Sequence, residues 1–560
     1  MKHFFILLLI IFSISFSSEI QASKIGPIND TTRSVRKNID QEVSDLINVE
    51  EKHFSQRIND FFEPFVEKMA LVLFWDPFEA LNIRDPYLYD NKGNPILDEE
   101  GNHKKQGIPI VVLWLILGAV YFTFKMRFIN LRGFMHGIEL IKGKYDKPGD
   151  KGEVSHFQAL TTALSATVGL GNIASVAIAI AIGGPGATFW MIVAGLFGMS
   201  SKFVECTLGV KYRKIDKNGV VSGGPMYYLS KALAKRKLKV LGQILAVIFA
   251  FLIMGCAFGG GNMFQANQAF SQLALFVPYF EDKGAYFGVF LAILVGIVII
   301  GGIKSIGRVT GKIVPIMASL YILTALVIII MNISEMGNVI KMIFEGAFNA
   351  AAIKGGFIGV LVIGFQRASF SNEAGVGSAS IAHSAVKTDE PISEGIVALL
   401  EPFIDTVVIC SMTAFVIIFT GMHENTGGLE GSQLTSAAFG SVFSWFPYLL
   451  AVSIFLFAFS TMISWSYYGL KGFDYLCGGF FERKFGNRII GTRIFQFIFL
   501  GFAVIGASSS LSSVIDFSDM MILSMAFPNV LGLFILSNEV KKDLKSYMRR
   551  VKSGEIKKHK

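Results

Sequence analysis

The sequence predicts an all-α integral membrane protein, and three observations carry that expectation. Hydrophobic residues make up 52% of the 560-residue chain and charged residues only 17%, against roughly 25% charged in soluble domains. Mean hydropathy is +0.53, which is more apolar surface than so few charges could screen from water. Eleven apolar runs are long enough to cross a bilayer, and none shows the two-residue alternation of a transmembrane barrel, so the spans read as helices. The same composition excludes a disordered chain and a disulfide scaffold. Cys206, Cys256, Cys410 and Cys477 lie in or beside apolar segments without metal-ligand spacing and read as buried small hydrophobes.

Residues 1–22 (MKHFFILLLIIFSISFSSEIQA) join a lysine, an apolar run and Ala22, the pattern of a secretory signal peptide; an uncleaved anchor is the alternative. Residues 23–107 are polar and charged, with an amphipathic stretch at 59–79, and are expected to form an extracytoplasmic segment lying partly on the membrane surface. The spans follow at 108–126, 158–183, 186–210, 241–262, 285–302, 313–332, 355–380, 394–421, 446–468, 490–508 and 515–537. The main domain is therefore 108–540, and 541–560 is a basic tail.

The net charge of +9 is a topology signal, because it is distributed unevenly between the connections. The connections 127–157, 211–239, 303–312, 373–393 and 469–489, with the tail from 538, hold 32 Lys and Arg. Those on the opposite side, 263–284, 333–354, 422–445 and 509–514, hold 3. The C-terminus is expected in the cytoplasm, and an odd number of spans then places the start of the first span outside, where a cleaved signal peptide would also leave it.

Two spans are interrupted. The second carries Ser165-Ala166-Thr167-Val168-Gly169-Leu170-Gly171-Asn172, and the seventh carries a polar, glycine-containing run from Gly364 to Gly377. Each helix-interior glycine costs roughly 1 kcal/mol relative to alanine, and an ionised side chain at bilayer depth costs on the order of 2.5–3.5 kcal/mol or more. Tight packing by small residues would explain the second span taken alone. The two breaks, however, are five spans apart, so spans 2–6 and 7–11 read as halves of odd length that must run inverted to each other. Paired interrupted helices in inverted halves point to the binding site of a secondary transporter. An unwound turn offers N–H groups to a carboxylate and carbonyls to a dehydrated cation.

The run GLGNIASVAIAIAIGGPGATFWM (169–191) resembles the signature of the alanine or glycine:cation symporter family, within the amino acid-polyamine-organocation superfamily. GGPMYYL (223–229), GNMFQAN (261–267), SNEAGVGSASIAHSAVKTDEP (371–391) and FSTMISWSYYG (459–469) are similar to further motifs of that family, in order across 108–540. The resemblance implies Na+-coupled, sometimes H+-coupled, uptake of small neutral amino acids. It also implies a leucine-transporter-like fold, a 5+5 inverted-repeat core of spans 2–11 preceded by one extra helix. The chain departs from the family in its polar insert between about 80 and 107, in its N-terminal signal-like segment, and in Leu170, where a threonine is common; that removes one hydroxyl from the expected pocket.

In the second span, Gly169, Leu170 and Gly171 are expected to present backbone N–H groups to the substrate carboxylate, with Thr167 facing the pocket and Asn172 bracing the turn. Gln265 is a candidate pocket amide, as are Asn262 and Asn267, with interhelical hydrogen bonding the competing reading. Phe365 of the seventh span is placed with the substrate-binding residues. Thr461 and Trp465, four apart, share one helix face; the resemblance places both at the substrate, where the indole would cap the pocket and admit only a short side chain. For Na+, the resemblance implies the carbonyls of Ser165, Val168 and Phe457 with the hydroxyls of Ser460 and Thr461; back-bonding of those hydroxyls to their own helix is the alternative. Glu205, Glu373, Glu401 and Asp405 are candidates for proton coupling or for structural pairing with Arg367 or Lys202. His156 and His383 are read as polar boundary residues.

No P-loop, HExxH or nucleophile elbow occurs, so no enzyme is expected and transport must draw on an ion gradient. The expected ligands are Na+ as co-transported ion and a small neutral amino acid, in contact with membrane lipid, with no organic cofactor, nucleic acid or obligate protein partner. The expected location is a bacterial plasma membrane, the inner one in a Gram-negative cell. Two rival readings are H+-coupled symport of another small solute on the same fold and a non-transporting membrane subunit.

Overall fold

The computed structural model describes Lys68, residues 70–82 and residues 107–558, apart from 148, 218, 281–282, 349–355, 425–428 and 430. The signal peptide expected at 1–22, and all of the expected 23–107 segment except 68, 70–82 and Gly107, lie outside the described residues. The described residues belong to one compact unit, Asn59–Lys560.

Asp76 ties the described part of the polar segment to the first membrane helix. Its carboxylate caps the short helix Pro77–Ala80 and accepts the Ile108 N–H at 2.8 Å. The first apolar helix, α1, then runs Ile110–Lys125.

The next span is broken, and its local chemistry shows why. Ser155 opens α2 (His156–Thr167) through a reciprocal capping box with Gln158. The helix ends at Val168, whose ψ of 86° leaves the helical region. Gly169 is fully extended, one tight turn covers Leu170–Asn172, and α3 (Ala174–Gly183) resumes. The two halves meet at 55°.

The chain continues through α4 (Gly186–Tyr212), a hairpin of β1 (Lys214–Ile215) and β2 (Val221–Ser222), and α5 (Pro225–Lys235). The long helix α6 (Lys239–Phe276) is widened at Gly259–Met263. Next come α7 (Gly284–Ile299), α8 (Gly302–Met331) and α9 (Met336–Phe348). The second interruption separates α10 (Gly356–Asn372) from α11 (Ala379–His383). Positive φ at Glu373 (55°), Gly375 (84°) and Gly377 (99°) turns the backbone there. A Cβ at Gly377 would meet Pro225 at 2.8 Å and Asn529 at 2.9 Å, so only glycine suits that approach.

The remaining helices are α12 (Pro391–Phe419, widened at Phe403–Cys410), α13 (Gly431–Gly440), α14 (Phe446–Phe485), α15 (Ile489–Ser508), α16 (Leu511–Ser524) and α17 (Ala526–Lys552). Among the described residues, seven helices are long and apolar enough to cross a membrane, and the bent pair α2–α3 adds an eighth. The helices α1 and α7 are apolar but shorter. The chain is thus a multi-pass helical membrane protein. Several helices outrun their expected spans: α14 continues to Phe485 and α17 to Lys552, because a helix does not stop where its apolar stretch does.

One apolar core runs through the unit, and α2 and α3 lie inside it, with Ala163, Val168, Leu170, Ile173 and Ala177 fully enclosed. Exposed Phe, Ile, Leu and Val side chains such as Phe251, Ile297, Leu323 and Phe497 stand on the outer faces, which is the distribution a lipid environment stabilises.

Candidate functional site

The site forms where the α2–α3 break meets α6, α10, α12 and α14. The Gly169 N–H donates to Asn172 Oδ1 at 2.8 Å, so the broken turn is braced by its own asparagine. The Leu170 N–H donates to Gln265 Oε1 at 3.3 Å, and Gln265 is fixed through its Nε2 to the Gly260 carbonyl at 2.9 Å. The widened turn of α6 thereby presents an amide to the broken turn of the second span. A Cβ at Gly169 would overlap Thr461 Oγ1, so α14 approaches as closely as a glycine allows. Gly171 lies against Ser371 of α10, at a Cβ distance of 3.3 Å.

Asn172 links this turn to a buried carboxylate. Its Nδ2 donates to Asp405 Oδ1 at 2.6 Å and lies 3.1 Å from both Ser371 Oγ and the Asp405 carbonyl. Asp405 Oδ2 accepts from Ser371 at 2.8 Å and from Thr406 at 2.7 Å, and Cys410 Sγ closes the cluster. Asp405 is fully enclosed. Among the described residues no Lys, Arg or His pairs with it; its partners are neutral. A buried carboxylate with only neutral partners is costly unless a cation or a proton joins it.

The other wall is α14. The Ser165 hydroxyl of α2 donates to the Ser460 carbonyl at 2.6 Å, and the Ser460 hydroxyl donates to the Phe457 carbonyl at 3.0 Å. Val168 and Phe457 are fully enclosed. Thr461 Oγ1 is enclosed and makes no hydrogen bond with any described group. Most buried polar atoms find a partner, and this one, set against Gly169 of the broken turn, is free to take a ligand. The expected cation ligands therefore lie on facing stretches of α2 and α14. Trp465, one turn further, donates its Nε1–H to the Ala166 carbonyl at 3.3 Å and packs so tightly on α6 that a Cβ at Gly261 would overlap its ring.

Other expected residues stand apart from these contacts. The Thr167 hydroxyl bonds back to the Ala163 carbonyl at 3.2 Å, and Phe365 is buried within α10. Asn262 bonds the Phe499 carbonyl and Asn267 the Ser509 carbonyl, so both amides tie α6 to α15 and its end, the interhelical alternative. Lys202 pairs with Glu401 at 2.9 Å and lies 3.9 Å from Glu205. Arg367 pairs instead with Asp519 of α16, a residue whose role the sequence reading did not single out. His156 and His383 are not boundary residues: both are buried and bond one carboxylate, Glu394. The glycine-containing run marks the interruption before His383, but the burial of that histidine depends on Glu394, eleven residues further on.

Comparison with known proteins identifies the family. The model of the "Sodium:alanine symporter family" matches residues 98–560. A protein of Methanococcus maripaludis named sodium/alanine symporter AgcS is 40% identical over 442 residues, covering 78% of this chain and 94% of that one. A Bacillus subtilis protein named "Probable sodium/glutamine symporter GlnT" is 35% identical over 448 residues, with 80% and 89% covered. The crystal structure of MhsT in complex with L-phenylalanine superimposes with a TM-score of 0.44 at 15% identity, over 69% of this chain and 99% of that one; a superposition at that level supports no conclusion about the fold. With a family match over most of its length and relatives that are cation-coupled amino-acid carriers rather than enzymes, this chain belongs to the sodium:alanine symporter family.

Proposed function

We propose that this protein is a Na+-coupled symporter of small neutral amino acids, alanine and glycine foremost, that carries them into the cell by alternating access. The observation that carries the reading is the broken turn Val168–Asn172. It lies between an enclosed Thr461 hydroxyl without a hydrogen-bond partner and the unpaired carboxylate of Asp405. An interrupted peptide inside a membrane protein is retained where it is buried against protein groups or lines a site.

In this reading one Na+ binds first, between the Ser165 and Val168 carbonyls of α2 and the Phe457, Ser460 and Thr461 oxygens of α14, and orders the turn. The amino-acid carboxylate then meets the Gly171 N–H and takes over the Gly169 and Leu170 N–H groups from the Asn172 and Gln265 oxygens that hold them in this structure, with Thr167, Phe365 and Thr461 around it. Trp465, clamped between Ala166 and Gly261, limits the side chain to alanine size. Coupling is reciprocal: Na+ raises amino-acid affinity by the factor by which the amino acid raises that of Na+. The core would be two inverted halves of five spans after one extra helix, with the C-terminus in the cytoplasm of a bacterial cell and the N-terminus outside.

A second reading, H+ in place of Na+, is favoured by Asp405, a buried carboxyl that a proton would neutralise as well as a cation would. Thermal unfolding of the purified protein separates the two. Alanine with Na+ should stabilise the fold, by about 2.7 kcal/mol at a hundredfold excess over Kd, and alanine with choline should not. Equal stabilisation in both salts would refute Na+ coupling.

A further inference from the structure

Away from the amino-acid site, ionisable side chains form an unbroken buried line. His156 Nδ1 bonds one oxygen of Glu394, and the other oxygen takes His383 Nδ1 at 2.5 Å. His383 Nε2 faces Glu401 Oε2 at 3.5 Å, and Glu401 Oε1 accepts from Lys202 at 2.9 Å. Lys202 reaches Glu205 Oε1 at 3.9 Å, and Glu205 Oε2 is held by Asn529 of α17 at 3.1 Å. All are fully enclosed except His156, which is 4% exposed.

Two features set this line apart from a structural ion-pair network. The first is its charge. Lys202, His156 and His383 oppose Glu205, Glu394 and Glu401, and Glu373, in the field of Lys202, adds one more carboxylate. With every group ionised the cluster carries one excess negative charge, which a low-dielectric interior does not hold without a bound cation or proton. The second is its hydrogen bonding. Glu205 Oε1, Glu401 Oε2 and His383 Nε2 are enclosed and make no hydrogen bond. The line is therefore loosely paired where it is most buried: Glu205 Oε1 has Lys202 at 3.9 Å, and Glu401 Oε2 has His383 Nε2 at 3.5 Å.

The line also has two ends with different surroundings. At one, His156 lies 3.9 Å from Asp146, whose side chain is half exposed, and lines a small surface cleft of about 20 Å³ with Tyr145, Asp150, Glu390 and Tyr547. At the other, Glu205 is held by Asn529, which also accepts from the Tyr228 hydroxyl; beside Glu401 and Glu373 stands Tyr468 of α14. Its hydroxyl is enclosed without a hydrogen-bond partner, and its ring meets the Trp465 ring at 5.3 Å. The remaining groups facing the line are Cys206 of α4, Arg213 just beyond it, Asp389 before α12, Tyr228 of α5 and Asp405 of α12.

We propose that this line is a proton-binding site, separate from the coupling-ion site, loaded from the cleft at His156, and that its bound proton holds that end of the protein closed. The step moves one proton from solvent through His156, Glu394 and His383 to the carboxylate of Glu401; the Lys202 ammonium relays it to Glu205 by giving a proton to Glu205 and regaining one from Glu401, so each N–H or O–H bond broken is matched by one formed and no electron moves. Loaded, the cluster is neutral and ties α2, α4, α11, α12 and α17 together. Unloaded, it carries its excess charge and the ties loosen. Acid at that face therefore slows the cycle, and alkali speeds it.

The inference rests on the transport reading, and the test separates the two. Alanine exchange is measured in proteoliposomes at equal pH on both sides, for the natural chain, Glu205→Gln and His383→Gln. The natural chain should exchange at least about fivefold faster at pH 8 than at pH 6, and both variants should lose that slope to within about twofold. A purely structural role would lower exchange at every pH and leave the slope. An unaltered slope in both variants, or a flat profile in the natural chain, overturns the proposal. If no exchange occurs at any pH, it is the transport reading that fails, and infrared difference spectra of the purified protein between those pH values decide this one. A protonated-carboxyl band lost in Glu205→Gln supports the site, and the same band persisting in that variant refutes it.

Discussion

Asn172 Nδ2 stands 2.6 Å from Asp405 Oδ1, while Asn172 Oδ1 holds the Gly169 N–H at 2.8 Å. One side chain thus couples the broken turn of the second span to a carboxylate on another helix. Anything that neutralises Asp405 also alters the hydrogen bond that shapes the turn. The charge of Asp405 and the contacts that Na+ and the amino acid make with the turn are then thermodynamically linked through a single asparagine.

Asp405→Asn should therefore weaken cation dependence more than it weakens folding. The variant keeps the volume and removes a buried carboxylate with only neutral partners, a change that often leaves stability level or higher. The half-saturating Na+ concentration for alanine uptake should rise about tenfold or more, which corresponds to roughly 1.4 kcal/mol. An unchanged Na+ curve would remove Asp405 from the mechanism.

Thr461→Ala tests the other wall. The hydroxyl is enclosed without a hydrogen-bond partner, so deleting it should cost the ligand-free protein little, within about 1 kcal/mol by thermal unfolding. The added stability seen with Na+ and alanine should largely vanish. A variant that melts lower without ligand, yet gains the full ligand shift, would show that Thr461 only packs.

Trp465→Phe should widen the pocket by exchanging an indole for a smaller ring and freeing the Ala166 carbonyl. Leucine and methionine should then compete with labelled alanine, where they compete poorly with the natural protein. Gly261→Ala should act in the opposite sense, pushing the indole toward the pocket and lowering alanine affinity several-fold. Unaltered competition in both variants would contradict a size limit set by Trp465.

Arg367 and Asp519 form a pair with both side chains nearly enclosed, at 10% and 7% exposure, joining α10 to α16. Breaking it on one side leaves a buried charge alone, so Arg367→Gln should cost about 3–5 kcal/mol. Adding Asp519→Asn should restore most of that stability. A single variant within about 1 kcal/mol of the natural protein would mean that the pair behaves as an exposed one.

Much of this architecture is written locally in the chain. The Ser155–Gln158 capping box, the glycines around Leu170 and the apolar runs fix where helices begin, break and cross, and each depends on neighbours a few residues away. The glycine-rich break at 169–172 and the 461/465 face are legible for that reason. What is not legible depends on partners far along the chain. Asp405 meets Asn172 across 233 positions, and Arg367 meets Asp519 across 152. His156 and His383 look like border residues because hydropathy places them at span ends, whereas burial follows from Glu394 between them. The widened turns at 259–263 and 403–410 are marked by the Gly259–Gly261 run and by Pro402, residue types that signal a weak point in a helix without specifying an extra residue in the turn.

The most direct measurement of the central claim is labelled alanine uptake into proteoliposomes under an imposed inward Na+ gradient, repeated with choline replacing Na+. The account requires concentrative uptake with Na+, loss of concentration with choline, and little effect of a protonophore when membrane potential is clamped. Uptake that persists undiminished in choline and collapses with the protonophore would contradict it.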